Sequence, residues 1–161
     1  MVIIGGGGLG GAAAGLALHR RGVEVEIYEK APALSEIGAG LNISPNALKA
    51  LRYLGIEETA IAVGVQSVEQ VIRSFRSRRV IARPKRTGDI ETRYGASFLT
   101  IHRADLLDAL LAPLPDSMIH LGAACTGVEN RDGAAVAHFC RWAFGRRRCR
   151  YRRGRHSFRC A

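Results

Sequence analysis

The sequence predicts an α/β fold built on a parallel βαβ unit, and three observations carry that expectation. A short apolar run, MVIIG (residues 1–5), stops at glycine, as a strand buried in a parallel sheet does. LGGAAAGLALHRRG (residues 9–22) is rich in small residues and is closed by Gly22, which reads as a helix with a glycine stop. VEVEIYEK (residues 23–30) then alternates, as a strand should. The three segments together have the length of one βαβ unit.

The next elements follow from local signals. In ISPNALKALRYLG, Ser44 stands at an N-cap, Pro45 at the first helical position and Gly55 at the stop. VEQVIRSFRSRRVIARP reads as two strands joined by a polar turn at Arg76–Arg79. ASFLTIHRADLLDALLAPLP reads as a strand feeding a helix that ends before Pro113 and Pro115. MIHLGAACTGVENRDGAAVAHF reads as two or three strands, with Asp132–Gly133 as a hairpin turn. The organisation is therefore α/β at first with a β-rich insertion. No internal repeat is present, and the apolar pattern collapses near residue 140.

Length and composition fit one globular domain: 161 residues, 47% of them hydrophobic. The net charge of +10 is concentrated at one end. Residues 1–133 hold 15 Lys and Arg against 14 Asp and Glu, whereas residues 134–161 hold nine Arg and no acid. The body is nearly neutral and the tail is strongly basic. The four cysteines, at 125, 140, 149 and 160, show no C-x-x-C spacing, so neither a zinc knuckle nor a redox pair is expected. A single cysteine in the body suits a reducing cytoplasm. The N-terminus lacks a basic n-region, and the charged HRRGVEVEIYEK follows it at once, so neither an export signal nor a membrane span is expected.

The turn after the first strand carries the chemistry. G-x-G-x-x-G fits in two registers, Gly5/Gly7/Gly10 and Gly6/Gly8/Gly11. Glycines there make the tight turn, let backbone approach a pyrophosphate and let helix and strand pack closely. The helix N-terminus then offers unpaired N–H groups and positive dipole to the anion. Glu29 lies at the end of the second strand, 23 residues beyond Gly6, near the spacing of a ribose-binding acid. A carboxylate there accepts from ribose hydroxyls and repels a 2′-phosphate. The ADP-ribose half of FAD or NAD is the expected ligand of this Rossmann-like unit, and an NAD-dependent dehydrogenase is one reading of it.

A longer pattern is more specific. VIIGGGGLGGAAAGLALHRRGVEVEIYEKAPALSEIGAGLNISPNALKALRYLG, followed by RYGASFLTIHRADLLDALL, resembles the FAD-dependent aromatic hydroxylases. These are the single-component flavoprotein monooxygenases of the salicylate and hydroxybenzoate hydroxylase type. The resemblance covers residues 2 to about 139 in matched order and spacing, and it favours FAD over a dehydrogenase's NAD. It implies Gly6, Gly8 and Gly11 as the fingerprint, with Gly10 at the pyrophosphate. Glu29 would hold the adenosine ribose with Lys30 beside it, and Arg103 would contact the flavin cofactor. Cys125 would meet the adenine through its backbone, its thiol being incidental. Asn42 falls near the flavin, where some relatives have a catalytic histidine. A carboxamide cannot act as a general base, so the base lies elsewhere or the phenol is already activated. No catalytic side chain and no metal ligand is assigned.

The implied reaction uses NADH or NADPH to reduce FAD and dioxygen to hydroxylate the ring of a small aromatic substrate, a phenolic acid. The cofactor supplies the hard chemistry, and the protein positions and shields it. Among the other candidates, Arg103 also fits a plain arginine at a helix start. His102 is expected to pack at a strand–helix junction, His19 to face solvent on an outer helix face, and RSFRSRRVIARPKR to form a solvated hairpin.

The tail, CRWAFGRRRCRYRRGRHSFRC (residues 140–160), reads at face value as a polyanion-binding segment, and a basic nucleic-acid-binding protein is the second function class. Its codons point elsewhere. Cys140-Arg141-Trp142 is encoded TGY CGN TGG, and one base along this permits Ala-Asp-Gly. Arg148–Cys160, with CGN arginines and a TCN serine, permits DVVIGADGIHSVV at every position. The hydroxylase family continues with an Asp-Gly turn, an apolar strand and a GADGIHS motif at this point. CGN arginines shifted by one base favour Asp, Ala, Val and Gly. The Ile at Tyr151 and His156, the His at Ser157 and the Ser at Phe158 fall outside that bias. The sequence is thus expected to hold a partial FAD-binding domain over residues 1–139. An out-of-frame basic tail over residues 140–161 follows, poorly packed and contributing no site, and the fold is incomplete.

Overall fold

The computed structural model describes residues 1–34, 39–84, 89–131, 134–143 and 146–153. In chain order the elements begin with β1 (Val2–Gly5), α1 (Leu9–His19), β2 (Val25–Tyr28), β3 (Gly40–Ile43), α2 (Pro45–Tyr53) and α3 (Glu57–Val63). β4 (Val65–Gln66), β5 (Ile72–Arg73), β6 (Val80–Ala82), α4 (Asp89–Tyr94), β7 (Leu99–His102) and α5 (Arg103–Leu111) follow. The last elements are a 3-10 turn (Asp116–Met118), β8 (Ile119–His120), β9 (Ala123–Arg131), β10 (Ala134–Ala143) and β11 (Arg146–Arg153). They divide between two compact units, Met1–Glu36 with Leu110–Ala161 and Ile37–Ala109.

The first unit contains the expected βαβ. β1 and β2 pair in parallel from Val2–Val25 to Gly5–Tyr28, and β8 adds in parallel on the far side of β2. The helix between them packs unusually close because its inner face is made of small residues. α1 buries Ala12, Gly15 and Leu16. A Cβ at Gly15 would lie 2.6 Å from Ile27 Cδ1, and a Cβ at Gly11 would lie 1.8 Å from the Gly6 carbonyl oxygen. Leu16 and Ile27 are almost fully buried at this contact face, each worth about 1.5–3 kcal/mol on burial.

A second sheet in the same unit is antiparallel, in the order β9-β10-β11. Ala123, Ala137 and Phe139 from it join Tyr28 and Ile3 in one core cluster. The Tyr28 ring stacks between Phe139 and His120, at centroid distances of 4.0 and 4.5 Å. Its hydroxyl donates to Glu26 Oε2 at 2.5 Å. Tyr28 thus buries an apolar body and satisfies its polar end, as a buried tyrosine must.

The β9–β10 hairpin was legible from its sequence, although its turn, Asp132–Gly133, lies outside the described residues. Backbone pairing continues past residue 140, where the apolar pattern collapses. β10 runs through Ala143 and pairs with β11 from Val136–Arg153 to Ala143–Arg146. Backbone N–H and C=O groups need only each other to form a ladder, so a strand can continue where the apolar alternation stops. The tail's packing expectation concerns side chains beyond Cys140, which lie outside the described residues.

The second unit mixes helix and strand, with five short strands among its described residues. β3, β7 and β4 form an antiparallel sheet, and β5 and β6 a separate hairpin. α2 begins at Ser44 and Pro45 as expected, but the Ser44 hydroxyl makes no cap bond. It donates instead to Asn46 Oδ1 at 2.5 Å. α3 is short and was missed, because seven residues carry less than two full turns of periodicity. Arg52 bridges α2 to α3 through a bidentate pair with Glu57, at 2.5 and 2.8 Å. The β5–β6 hairpin is solvated, with Phe75 at its turn 99% exposed.

Two histidine expectations are corrected. β7 alternates, so buried Leu99 and Ile101 leave His102 on the opposite side of the pleat, exposed and not packed. His19 is half-buried in the last turn of α1 and does not stand free in solvent. Among the described residues, no helix is long and apolar enough to cross a membrane.

The close approach of α1 gives a stability prediction. Gly15→Ala should lower stability by about 1–3 kcal/mol through overpacking against Ile27, partly offset by the better helix propensity of alanine. Gly11→Ala should cost more, because the atom in the way is backbone. Denaturant unfolding of the two variants checks the order; equal stability to the parent in both would show that the helix can move away freely.

Candidate cofactor site

The first unit gathers its candidate residues at the carboxyl ends of the parallel strands, where α/β sheets bind ligands. Chain leaving β1 turns at Gly6, whose φ of +128° is open to glycine and strained for any other residue. Gly6 N–H donates to the Tyr28 carbonyl at 2.7 Å, which ties the turn to the end of β2. Gly8 then sits at the N-cap of α1 in extended conformation. No side chain caps this helix and no acid lies in its first turn, so its leading amides and dipole face outward for an anion.

The clearance at each glycine separates the two registers of the motif. The close-packing glycine is Gly11, held against Gly6. A Cβ at Gly10 would meet nothing within 4 Å, and Gly10 is exposed. The geometry therefore fits the Gly6/Gly8/Gly11 register, with Gly10 facing the open side. A FAD pyrophosphate fits such a turn: backbone donors are available, and the exposed position carries no side chain.

Glu29 follows β2 directly, and its carboxylate reaches back to the glycine turn. The Gly7 amide donates to Oε2 at 2.7 Å and the Ala31 amide to Oε1 at 2.9 Å. The Ala31 bond is the main reason its carboxyl is held below the ordinary glutamate range. Partial burial acts the other way, and the Gly7 and Lys30 amides and the Lys30 charge reinforce the lowering. The backbone of Glu29 is fixed as well: its N–H donates to the His120 carbonyl at 2.9 Å, and its carbonyl accepts from Ala123 at 2.8 Å. Lys30 is exposed beside it. Cys125, near the start of β9, is exposed, and its Cβ lies 3.7 Å from where a Cβ on Gly5 would stand. Gly6, Gly8, Gly10, Gly11, Glu29, Lys30 and Cys125 are thus all carried by this one unit.

Asn42 and Arg103 belong to the second unit. Asn42 sits on β3 opposite Thr100 of β7, exposed, and its Oδ1 accepts from the Thr100 hydroxyl at 3.2 Å. That hydroxyl also lies 3.0 Å from the Ser67 hydroxyl. Since Thr100 has a single proton to give, the chain runs Ser67 to Thr100 to Asn42 and orients the carboxamide. Arg103 opens α5, half-buried, and its N–H donates to the Ala39 carbonyl at 3.2 Å.

Two residues of the chain that orients Asn42 were not singled out from sequence. Thr100 and Ser67 carry no motif, and only strand register reveals them. Gly7 is buried with Glu29 Cβ 3.0 Å and Leu34 Cδ2 3.1 Å from its missing Cβ. With Gly11 and Gly15 it forms a four-residue spacing that is the available signal for a close-packed face.

Comparison with known proteins agrees with this geometry. A family model described as FAD binding domain matches residues 1–114. The chain is 41% identical over 135 residues to a 6-hydroxynicotinate 3-monooxygenase of Pseudomonas fluorescens, covering 83% of this chain and 35% of the relative. It is 36% identical over 136 residues to a salicylate hydroxylase of Pseudomonas putida, covering 83% and 31%. The chain therefore spans about a third of the length of these curated relatives. Among solved structures, Klebsiella pneumoniae HpxO complexed with FAD and uric acid superposes with a TM-score of 0.77 at 23% identity, over 86% of this chain and 34% of that one. The p-nitrophenol 4-monooxygenase of Pseudomonas putida gives 0.79 at 16% identity, over 93% and 38%. These two likenesses concern the fold. With a family match over residues 1–114, most of its length, this chain belongs to the FAD binding domain family.

Proposed function

We propose that this chain is the N-terminal FAD-binding part of a monooxygenase that hydroxylates a small hydroxylated aromatic acid. The observation that carries the reading is the Glu29 carboxylate, fixed within hydrogen-bonding reach of a glycine turn whose helix N-terminus is open. In this reading Gly6, Gly8, Gly10 and Gly11 receive the pyrophosphate of FAD on backbone. Glu29 accepts the adenosine ribose hydroxyls with Lys30 beside it, and the backbone at Cys125 meets the adenine. Asn42, oriented by Thr100, and Arg103 serve the flavin end.

FAD held on these residues would supply the redox chemistry, with NADH or NADPH as electron donor, one oxygen atom of dioxygen inserted into the ring and the other released as water. The work of this chain's residues is to hold and orient the cofactor. The substrate names come from relatives about three times as long, and an active site assembled from several segments needs all of them. A polypeptide of these 161 residues alone is therefore expected to bind FAD without hydroxylating. The reaction is assigned to the cytoplasm, in keeping with a body that holds a single cysteine.

Residues 140–161 are read as coding sequence translated one base out of frame, so the domain proper is 1–139. The arginines then carry no selected site, although nine of them will bind polyanions in a salt-dependent way. Resequencing the locus should reveal one extra base, or two missing, near codons 138–140. Related loci that encode the Arg-rich tail in an intact frame would contradict this reading and favour a polyanion-binding function.

Titration of the purified chain with FAD, followed by flavin absorbance and fluorescence, should give one-to-one binding. Gly10→Ala, which has open space for its methyl, should leave stability unchanged. It should weaken FAD by about tenfold, because the added methyl would hold the pyrophosphate away from the turn's amides and lengthen a charge-assisted hydrogen bond. Absence of FAD binding by the parent chain, or a Gly10→Ala variant that binds as tightly, would count against the assignment.

A further inference from the structure

The carboxylate of Glu29 has more to do in this structure than await a ribose. Its two oxygens each accept one backbone N–H, Gly7 on Oε2 and Ala31 on Oε1. Gly7 lies in the middle of the glycine turn and is buried against the Glu29 side chain and Leu34. Ala31 lies just beyond β2, and its carbonyl accepts from Gly122 at 2.9 Å, ahead of β9. One side chain therefore ties the turn after β1 to the segment after β2, across 22 residues of sequence.

Each carboxylate oxygen offers about two acceptor sites. Backbone amides take one on each oxygen, and the Lys30 amide adds a third favourable interaction. A carboxylate pinned at both oxygens cannot rotate.

We propose that Glu29 is a positioning residue for the glycine turn, latching Gly7 to Ala31 before any cofactor is present. The proposal rests on the observed bonds alone and is independent of the FAD reading. It separates Glu29 from an acid that serves only as a ribose ligand, because such an acid leaves the empty turn unchanged when removed. Glutamine is the informative substitution. It keeps shape and length but replaces one oxygen with an NH2, and either orientation sets that donor against the Gly7 or the Ala31 amide.

The latch is read on the cofactor-free 161-residue chain by NMR. The Gly7 and Ala31 amide proton shifts should move together as pH falls, with one common midpoint below the ordinary glutamate range. The sign follows from the ionised form being the acceptor: the bonds are present above that midpoint and lost below it. In Glu29→Gln, hydrogen exchange at Gly7 should rise about tenfold or more relative to the parent, the effect of losing one bond to a charged acceptor. Glu29→Asp keeps the charge but lacks the reach, and should behave like Glu29→Gln. Separate midpoints for the two amides, or no titration of either in the unaltered chain, would overturn the latch even where a variant fails to fold. Unchanged Gly7 exchange with weakened FAD binding in Glu29→Gln would also overturn it and leave Glu29 as a ribose ligand only. Faster exchange in a protein that never binds FAD would uphold the latch and remove the FAD reading instead.

Discussion

The contact on which this structure turns is the one between Gly6 and Gly11. The Gly6 carbonyl oxygen occupies the place where any other residue at position 11 would put its Cβ. That approach brings the first turn of α1 hard against the end of β1, and Gly15 continues it against Ile27. The helix N-terminus is left pointing out of the carboxyl edge of the sheet, with its amides uncapped by any side chain. Everything proposed for this chain depends on that placement. A helix pushed away from the sheet, as a Cβ at position 11 against the Gly6 carbonyl would require, would aim its dipole elsewhere and disturb the bond from the Gly7 amide to Glu29.

The second strand supplies the complement. Burial of Val25, Ile27 and Tyr28 fixes β2 in the core, and Glu29 is the first residue to leave it. Its backbone is tied to His120 and Ala123 and its side chain to Gly7 and Ala31. A negative charge is therefore kept beside an anion-binding turn, where unaided repulsion would count against it. The bound amides hold that carboxyl ionised and in one orientation. An acid in this position is compatible with ribose hydroxyls and hostile to a phosphate in the same place, which is the charge argument for the proposed adenosine end of FAD.

Much of this was legible in the residues. The βαβ unit, the helix after Ser44, the strand–helix pair at 99–111 and the β9–β10 hairpin each announce themselves by periodicity and by Gly or Pro punctuation. The family, its fold and its cofactor followed from motif order. What was not legible has physical reasons. The α3 helix is too short to show a face. Ser44 holds the N-cap position, yet its hydroxyl prefers Asn46, a choice decided by local geometry. His102 was misplaced because the alternation of β7 was not carried through to its last residue. The Ser67–Thr100–Asn42 chain depends on strand register between segments 58 residues apart for its longest link, which no local pattern encodes. In the tail, strand β11 lacks any apolar alternation, and its backbone pairs regardless.

The basic tail and the nucleotide-binding body first suggest two functions, but the charge distribution and the codons favour one. The body is close to neutral and holds every acid in the chain, while the tail's composition matches a hydroxylase continuation read one base along. The central claim is that ligand recognition lies on the glycine turn and Glu29. The most direct measurement is an amide shift map of the chain titrated with ADP, the part of FAD that this unit alone should hold. The account predicts perturbations concentrated at Gly6–Gly11, Glu29–Ala31 and Cys125. Perturbations centred on the arginines beyond residue 140, with the glycine turn silent, would contradict it.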